Sequence, residues 1–258
     1  MVKGLEKFKE FFRNYTDNYV IIGGTACDII ISDATFTPRA TKDIDIILIV
    51  EALNADFVKH FWKFVKAANY ERQDVGGDER KYYRFTKPTD NEFPLQIELF
   101  SRKPDVILLE KGVHLTPIPV DDDLSSLSAI LLNDDYYNYM IQHSSVRDDI
   151  RLANIEALIC LKAKAFLEIS ERIAKGIKED AKHLRKHKTD VFRLALMLTP
   201  DKIFKLPLSL KNDMQSFVNT IAANLPEKAI FKEMGAGIID VDGLYQQILK
   251  SFILEKHG

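Results

Sequence analysis

The feature of this sequence that most constrains its fold is a change of hydrophobic period near residue 150. Before that point, short β-branched and aromatic runs alternate with amphipathic stretches, whereas from Asn154 onwards apolar residues recur at helical spacing. A mixed segment followed by helices alone is typical of an α+β chain with a helical carboxyl-terminal part. We therefore predict an α/β domain over residues 1–150 and a helical domain over residues 151–258.

Composition excludes several classes of protein. The 258 residues are 46% hydrophobic, which is enough to build a core in one large domain or two modest ones. No stretch approaches the roughly 20 apolar residues of a membrane span, and the amino terminus lacks the features of a secretory signal, so we expect no membrane contact and a cytoplasmic location. Cys27 and Cys160 are far apart and lack the spacing of a zinc site, so we expect reduced thiols.

The local patterns predict individual elements. Helices are predicted over residues 3–14, over Thr25–Ser32, after the cap residue Asn54, and from Asn154 with an interruption at Gly176 and a continuation to about Leu198. Strands are predicted over Tyr19–Ile22, Asp43–Val50, Tyr70–Gln73, Tyr82–Phe85 and Leu95–Phe100, with a hairpin turn at Gly76-Gly77. Between residues 105 and 145 the strand candidates are Ser128–Leu132 and Tyr136–Ile141.

Asp43 and Asp45 are separated by one residue in the strongest strand pattern of the chain. Because side chains alternate along a strand, both carboxylates point to one face while Ile44 and Ile46 point into the core. Two carboxylates this close repel each other unless a cation lies between them, and hard divalent cations such as Mg²⁺ accept such oxygen ligands. An isolated Asp-x-Asp is more often only the polar face of a strand.

Two further features could complete a site around these aspartates. Glu98 lies on the polar face of the strand pattern Leu95–Phe100, so it joins them if the two strands are neighbours. Gly23-Gly24-Thr25 lies where a strand turns into a helix, a place where backbone amides favour phosphate. Thr25 adds a hydroxyl donor and is expected to be the N-cap of that helix. Taken singly, each feature is more often structural.

The order of these blocks resembles the nucleotidyltransferase superfamily typified by DNA polymerase β, whose signature is a Gly-Gly or Gly-Ser turn, an Asp-x-Asp and a later acidic residue. The run Arg39-Ala40-Thr41-Lys42-Asp43-Ile44-Asp45-Ile46 and a later lysine-bearing helix are similar to those of the toxin-type nucleotidyltransferases of abortive-infection systems. The resemblance spans residues 19 to about 195. It implies a nucleotidyltransferase-like mixed sheet with flanking helices, catalytic over residues 1–150, followed by the helical domain.

The resemblance also assigns roles to residues of this sequence. Gly23, Gly24 and Thr25 match the family's nucleotide-phosphate turn. Asp43, Asp45 and Glu98 match its metal-binding and catalytic carboxylates, which implies Mg²⁺ or Mn²⁺, an NTP substrate and two-metal transfer with release of pyrophosphate. Arg39 and Lys42 flank the acidic pair and are candidates for binding the nucleotide phosphates, although either could be an ordinary loop charge.

Helical geometry separates Lys162 from Lys164. At about 100° per residue, Lys162 falls within the apolar stripe of its helix and Lys164 on the opposite side, and a lysine on a buried face needs an anion. The resemblance implies that Lys162 contacts nucleotide phosphates; otherwise its stem packs on the core. Asp180 shares the stripe of the next helix and could orient Lys162. The family pattern matches loosely here, so the roles of Asp180, His183, His187 and Asp190 stay open.

The sequence therefore predicts an enzyme that transfers a nucleoside monophosphate to a hydroxyl acceptor. The acceptor is an RNA end, as in toxin-type relatives with a possible protein antitoxin, or a small hydroxylated molecule, as in antibiotic-modifying relatives. The basic stretch Lys178–Lys188 favours RNA, whereas a pI of about 6.3 does not. The same carboxylates could also serve a two-metal hydrolase, or the chain could be a non-catalytic module of this fold that binds a nucleotide or a protein partner.

Overall fold

The computed structural model describes residues 2–74, 82–100, 130 and 133–255. The helices of the first part are α1 (Leu5–Phe12), α2 (Gly23–Asp33), α3 (Ala55–Ala68) and α4 (Asp134–Gln142). Those of the second part are α5 (Ile155–Ala174), α6 (Ala181–Ala195), α7 (Leu208–Ile221), α8 (Ala229–Glu233) and α9 (Val241–Ser251). The strands are β1 (Tyr19–Ile22), β2 (Asp43–Leu48), β3 (Glu71–Asp74), β4 (Tyr82–Thr86), β5 (Gln96–Phe100), β6 (Ser144–Arg147) and β7 (Ile150–Ala153).

The strands form one mixed sheet in the order β3-β4-β5-β2-β1-β7-β6. Strand β2 lies at its centre, parallel to β5 and antiparallel to β1, and β1 is parallel to β7. The remaining neighbours pair antiparallel. The structure thus confirms the predicted α+β class, with a mixed sheet, flanking helices and a helical carboxyl-terminal part.

The two faces of the sheet are covered by different elements. On one face, aromatic side chains of α1 and α3 pack against the strands: Phe85 of β4 contacts Phe61 and Trp62, and Tyr19 of β1 meets the edge of Phe8. The other face packs against α2, which in turn contacts α5 and α6. Alternation along the strands separates the two faces, so the residues next to Phe85 and Ile44 point away from the aromatic layer.

The helical part is built around α5, which packs against α6 and α7. Eleven residues of α5 are buried, Lys162 among them, so this helix is enclosed on most of its circumference. Buried apolar residues of the sheet and of the helical part form one cluster. The division into domains at residue 150 stays a prediction. Among the described residues, no helix is long and apolar enough to cross a membrane.

The prediction of a strand over Tyr136–Ile141 is wrong, because these residues belong to α4. The side chain of Asn133 caps this helix by accepting hydrogen bonds from the backbone N–H groups of Asp135 and Tyr136. Acidic residues in the first turn add favourable charge at the amino-terminal end of the helix. The β-propensity of the tyrosines is overridden by this capping and by burial of Tyr136 and Tyr137.

Other predicted elements occur with shifted ends, and two strands were not predicted at all. Strands β6 and β7 have four residues each, and neither has the continuous β-branched run that marked β1. The strand candidate Ser128–Leu132 lies outside the described residues except for Ile130, which is helical, and Gly76-Gly77 lies outside them too. Cys27 and Cys160 are buried free thiols, as expected.

Candidate active site

Three carboxyl groups lie together on the face of the sheet opposite the aromatic layer. Asp43 and Asp45 are on β2, and Glu98 is on the neighbouring strand β5, where it is the register partner of Asp45. Partner residues in adjacent strands project to the same face, so the carboxyl groups converge. The sequence placed these acids on polar strand faces, and the pairing of β2 with β5 brings them to one spot.

The acidic cluster carries less than its full negative charge in the protein alone. Burial raises the pKa of Glu98 to about 9, and the nearby Asp45 carboxylate contributes to this rise. Burial likewise raises the pKa of Asp45 to about 6, and it raises the pKa of Asp43. Because the carboxyl groups of Asp45 and Glu98 are hydrogen-bonded to each other, the pair shares a proton at neutral pH.

The diglycine turn is in contact with this cluster. Gly23 has a φ of 67°, and a Cβ atom added to it would lie 1.7 Å from Oδ2 of Asp45. A Cβ atom on Gly24 would lie 2.6 Å from Oγ1 of Thr41. Glycine is therefore required at Gly23 both for its backbone angle and for the close approach of Asp45. Backbone N–H groups at the beginning of α2 remain available to an anion.

Thr25 does not have the position that the sequence suggested. It lies inside α2, which begins at Gly23, and the N-cap residue is Ile22. Its side chain is fully buried, and its hydroxyl donates a hydrogen bond to the carbonyl oxygen of Asp43. The prediction that Thr25 is the N-cap is therefore wrong. Its hydroxyl joins α2 to β2 and so fixes the backbone of Asp43 relative to the glycine turn.

A cavity of about 470 Å³ opens over the acidic cluster and the glycine turn. The sheet and the segment before β2 form one wall, and α5 and α6 form the other. Of the residues predicted for the site, all but Thr25 line this cavity. Its lining comprises Gly23, Gly24, Arg39, Ala40, Thr41, Lys42, Asp43, Asp45, Arg84, Gln96, Glu98, Leu161, Lys162, Ala165, Ile169, Lys186 and His187.

Lys162 is buried in the wall of the cavity and is paired with Asp190. Its Nζ atom lies 3.2 Å from Oδ2 of Asp190, and both residues are almost fully buried. Although burial opposes its charged form, the Asp190 carboxylate holds the pKa of Lys162 above its usual value. By contrast, Lys164 pairs with Asp213, a residue of α7. The structure thus agrees with the stripe geometry that separated the two lysines.

Asp190 also lies near two arginines. Nε of Arg39 is 3.9 Å from its Oδ1 atom, and Nη1 of Arg193 is 3.7 Å from the same atom. Arg39 belongs to the segment before β2, and Asp190 belongs to α6. Asp190 therefore attracts a cation from each wall of the cavity, which keeps Arg39 and Lys162 close to the acidic cluster.

The expectation that Asp180 orients Lys162 is wrong. Asp180 is exposed and caps α6, where its side chain accepts a hydrogen bond from the backbone N–H of Lys182. Asp190, whose role the sequence left open, is the partner of Lys162 instead. His187 lines the cavity, and burial together with the Lys162 charge lowers its pKa well below the usual value, so it is neutral. His183 does not line the cavity.

Two polar side chains next to Glu98 were missed by reasoning from sequence. Nε of Arg84 donates a hydrogen bond of 2.9 Å to Oε1 of Glu98, and Nε2 of Gln96 donates one of 2.6 Å to the same atom. Arg84 alternates with Phe85 on β4, so the pattern put it on a polar face. That Arg84 lies next to Glu98 follows only from the pairing of β4 with β5, in which the two residues are register partners. Lys186 and His187, which the sequence analysis left in a basic stretch without an assigned place in the site, also line the cavity.

The donor set suits a hard divalent cation, although a complete ligand shell is not preformed. Among the described residues, no group of three His, Cys, Asp or Glu side chains is arranged to hold a metal ion. Asp43 and Asp45 nevertheless line the cavity, and burial raises the pKa of each. A cation bound between them would stabilise their charged forms. Oxygen donors of this kind fit Mg²⁺ or Mn²⁺. Oε1 of Glu98 is already occupied by hydrogen bonds from Arg84 and Gln96.

Comparisons with known proteins give little further information. No protein-family model matches the chain, and no curated protein sequence matches it. One solved structure that is similar is an antigenic nucleotidyltransferase-like protein from Paracoccidioides brasiliensis. It is 14% identical, with 89% of this chain and 97% of that chain covered and a TM-score of 0.46. At this TM-score the likeness assigns neither fold nor function to the chain.

Proposed function

We propose that this protein is a divalent-cation-dependent nucleotidyltransferase that transfers a nucleoside monophosphate from an NTP to a hydroxyl acceptor. The observation that carries this proposal is the presence, in one cavity, of three carboxyl groups, a diglycine turn and several cationic side chains. Acidic side chains that lie close together and have raised pKa values are characteristic of sites that bind cations or transfer protons. The same residues carry the sequence resemblance.

The cavity offers two kinds of group to a triphosphate. Backbone N–H groups at the beginning of α2, next to Gly23 and Gly24, lie at the positive end of the helix dipole. This position favours an anion such as a phosphate group. Arg39, Lys42 and Lys162 supply positive charge from both walls. Lys162 is held by Asp190 and is therefore preorganised. Arg39 lies 3.9 Å from Asp190 and Lys42 is exposed, so both can adjust to the nucleotide.

Asp43 and Asp45 would hold Mg²⁺ or Mn²⁺ at the floor of the cavity. A bound divalent cation supplies charge that stabilises the triphosphate and polarises the acceptor hydroxyl. Glu98 takes the proton of the acceptor hydroxyl. The hydroxyl oxygen then forms a bond to the α-phosphorus, and pyrophosphate leaves. Before it can act as a base, Glu98 must lose the proton that it shares with Asp45. Cationic charge added next to the pair favours this loss.

We propose RNA as the acceptor. Lys186 lines the cavity, and Lys182 and Arg185 are exposed on the same helix, α6. A row of basic side chains leading from the cavity is suited to a polynucleotide backbone. Incubation with an α-labelled NTP and either RNA or small hydroxylated compounds tests this choice. Label on RNA that declines with increasing salt supports the proposal, whereas label on a small molecule alone contradicts it.

The transfer itself is tested by measuring pyrophosphate release with each NTP in Mg²⁺ and in excess chelator. We expect release that requires Mg²⁺ and is lost in Asp45→Asn, with little change in unfolding free energy because one of several crowded carboxylates is neutralised. Asp213→Asn is the control, because Asp213 is paired with Lys164 and does not line the cavity. It should retain release.

Three outcomes contradict the proposed transfer. Full activity in Asp45→Asn contradicts the role of the acidic cluster. Release of phosphate or nucleoside monophosphate in place of pyrophosphate identifies a hydrolase. Nucleotide binding without turnover, for every NTP and acceptor, identifies a binding module.

A further inference from the structure

Arg84 occupies a position in the sheet that the function proposed above does not explain. The pairing of four strands places Ile22, Asp45, Glu98 and Arg84 in one row across the sheet. Glu98 therefore has a carboxyl group on one side and a guanidinium group on the other. The Arg84 side chain is 14% exposed and lines the cavity, so it is largely buried in the cavity wall next to Glu98.

The carboxyl group of Glu98 already has three partners in this arrangement. Oε1 accepts hydrogen bonds from Nε of Arg84 and from Nε2 of Gln96. The carboxyl group is also hydrogen-bonded to Asp45. A divalent cation that takes Oε1 of Glu98 as a ligand must displace Arg84 or Gln96 from that atom, and the charge of Arg84 repels the cation as it approaches. Among the described residues, the three acids do not form a ready metal site, although they are adjacent.

A polyanion that enters the cavity offers Arg84 a second partner. A guanidinium group presents a planar fork of N–H donors that matches phosphate as well as carboxylate. The cavity that Arg84 lines is the one in which Gly23, Arg39 and Lys162 are expected to hold the triphosphate. A triphosphate there can take over the hydrogen bond that Arg84 now gives to Glu98.

We propose that Arg84 is a positioning residue that holds Glu98 away from the cation until the triphosphate group of a nucleotide binds and draws the guanidinium away. The inference rests on the proposed function, which it extends by making nucleotide and cation bind cooperatively. The cation alone binds weakly to Asp43 and Asp45. With the triphosphate present, Arg84 turns to phosphate oxygen atoms and Glu98 becomes available as the third ligand.

The test is a titration with Mn²⁺, in which electron paramagnetic resonance measures the free ion. It is done on the full chain, with and without a non-hydrolysable NTP analogue. The same titration of the analogue without protein gives the Mn²⁺ that the analogue itself binds. After this is subtracted, we expect for wild type weak binding of Mn²⁺ alone and much tighter binding with the analogue. For Arg84→Gln we expect binding of Mn²⁺ alone to tighten by roughly tenfold, because a positive charge next to the ligands is removed. The increase in Mn²⁺ affinity on adding the analogue should be smaller in Arg84→Gln than in wild type.

Lys42→Gln is the matched control. Lys42 lines the same cavity, and its loss removes the same charge, but its side chain is exposed, so solvent screens its charge on Asp43. We expect a smaller effect on binding of Mn²⁺ alone than in Arg84→Gln. Arg84→Lys keeps the charge while changing the donor geometry, and it serves if Arg84→Gln does not fold. It should bind Mn²⁺ alone with an affinity between those of wild type and Arg84→Gln.

The outcomes separate the inference from the function on which it rests. If wild type binds Mn²⁺ neither alone nor with the analogue, the proposed function fails and the role of Arg84 fails with it. If wild type binds Mn²⁺ with the analogue, but the Arg84 variants bind Mn²⁺ alone no tighter than Lys42→Gln does, only the role of Arg84 is overturned.

Discussion

Among single residues, Gly23 is the position in the site where the requirement for one residue type is strictest. Its positive φ and the 1.7 Å between an added Cβ atom and Asp45 leave no room for a side chain. We expect Gly23→Ala to lower the unfolding free energy by about 2 to 4 kcal/mol, from backbone strain plus displacement of Asp45. Chemical denaturation measures this loss, and nucleotide transfer should be abolished.

Gly176 provides the control for that substitution. It has a φ of 77°, but a Cβ atom added to it would meet nothing within 4 Å. Gly176→Ala therefore carries the strain without the clash, and we expect a loss of about 1 kcal/mol with transfer retained. Equal losses of stability and activity in the two variants would show that Asp45 moves aside freely and that its position is not fixed by the turn.

The protonation of Glu98 makes a prediction about pH. Because its pKa is raised from 4.5 to about 9 by burial and by Asp45, the folded protein binds a proton that the unfolded chain releases in this range. Its contribution to stability is therefore present below about pH 4.5 and is lost as the pH rises towards 9. In chelator, Glu98→Gln should be more stable than wild type at pH 8.5 by roughly 1 to 3 kcal/mol, with a smaller difference at pH 5.

Urea unfolding at the two pH values measures that difference. Any change in the hydrogen bonds that Arg84 and Gln96 give to residue 98 affects the variant at both pH values, so only the change with pH reports the titration. A stability difference between Glu98→Gln and wild type that is the same at pH 5 and pH 8.5 would show that Glu98 is not protonated in the folded protein.

Among the elements, helix α5 presents two lysines in different environments. Lys162 is buried against Asp190, whereas Lys164 pairs with Asp213 at a partly exposed position. Breaking the buried pair with Lys162→Met should cost about 3 kcal/mol, and Lys164→Met should cost less than about 1 kcal/mol. Only Lys162→Met should raise the apparent KM for NTP, by roughly tenfold.

Steady-state kinetics and denaturation of both variants check this prediction. The two measurements separate a structural role of Lys162 from a role in binding. If Lys162→Met loses stability but keeps the wild-type KM, the lysine serves only the packing of α5 against α6.

Periodicity predicted most elements of the chain, because each depends on local spacing. The strand alternation that put Asp43 and Asp45 on one face is of this kind, and so is the stripe on α5 that separates Lys162 from Lys164. Local competition explains the failures. The Asn133 cap overrides the β-propensity of Tyr136, and α2 begins at Gly23, two residues before the predicted start, which carries Thr25 into the helix and away from its expected capping role.

For the whole molecule, what the sequence could not predict is pairing between distant segments. No local pattern shows that Asp45 is opposite Glu98 or that Glu98 is opposite Arg84, because these registers join strands that lie far apart in the sequence. The Lys162–Asp190 pair similarly depends on how α5 packs against α6. The acids of the site could therefore be named from the sequence, whereas the groups that hold them could not.

The central claim is that Asp43, Asp45 and the Gly23 turn together bind a divalent cation and the triphosphate of a nucleotide. The most direct measurement is a crystal structure of the protein grown with Mg²⁺ and a non-hydrolysable NTP. We predict a cation about 2.1 Å from carboxylate oxygen atoms of Asp43 and Asp45, with the triphosphate next to Gly23 and Gly24. A nucleotide bound outside this cavity, or inside it without a cation on the two aspartates, would contradict the claim.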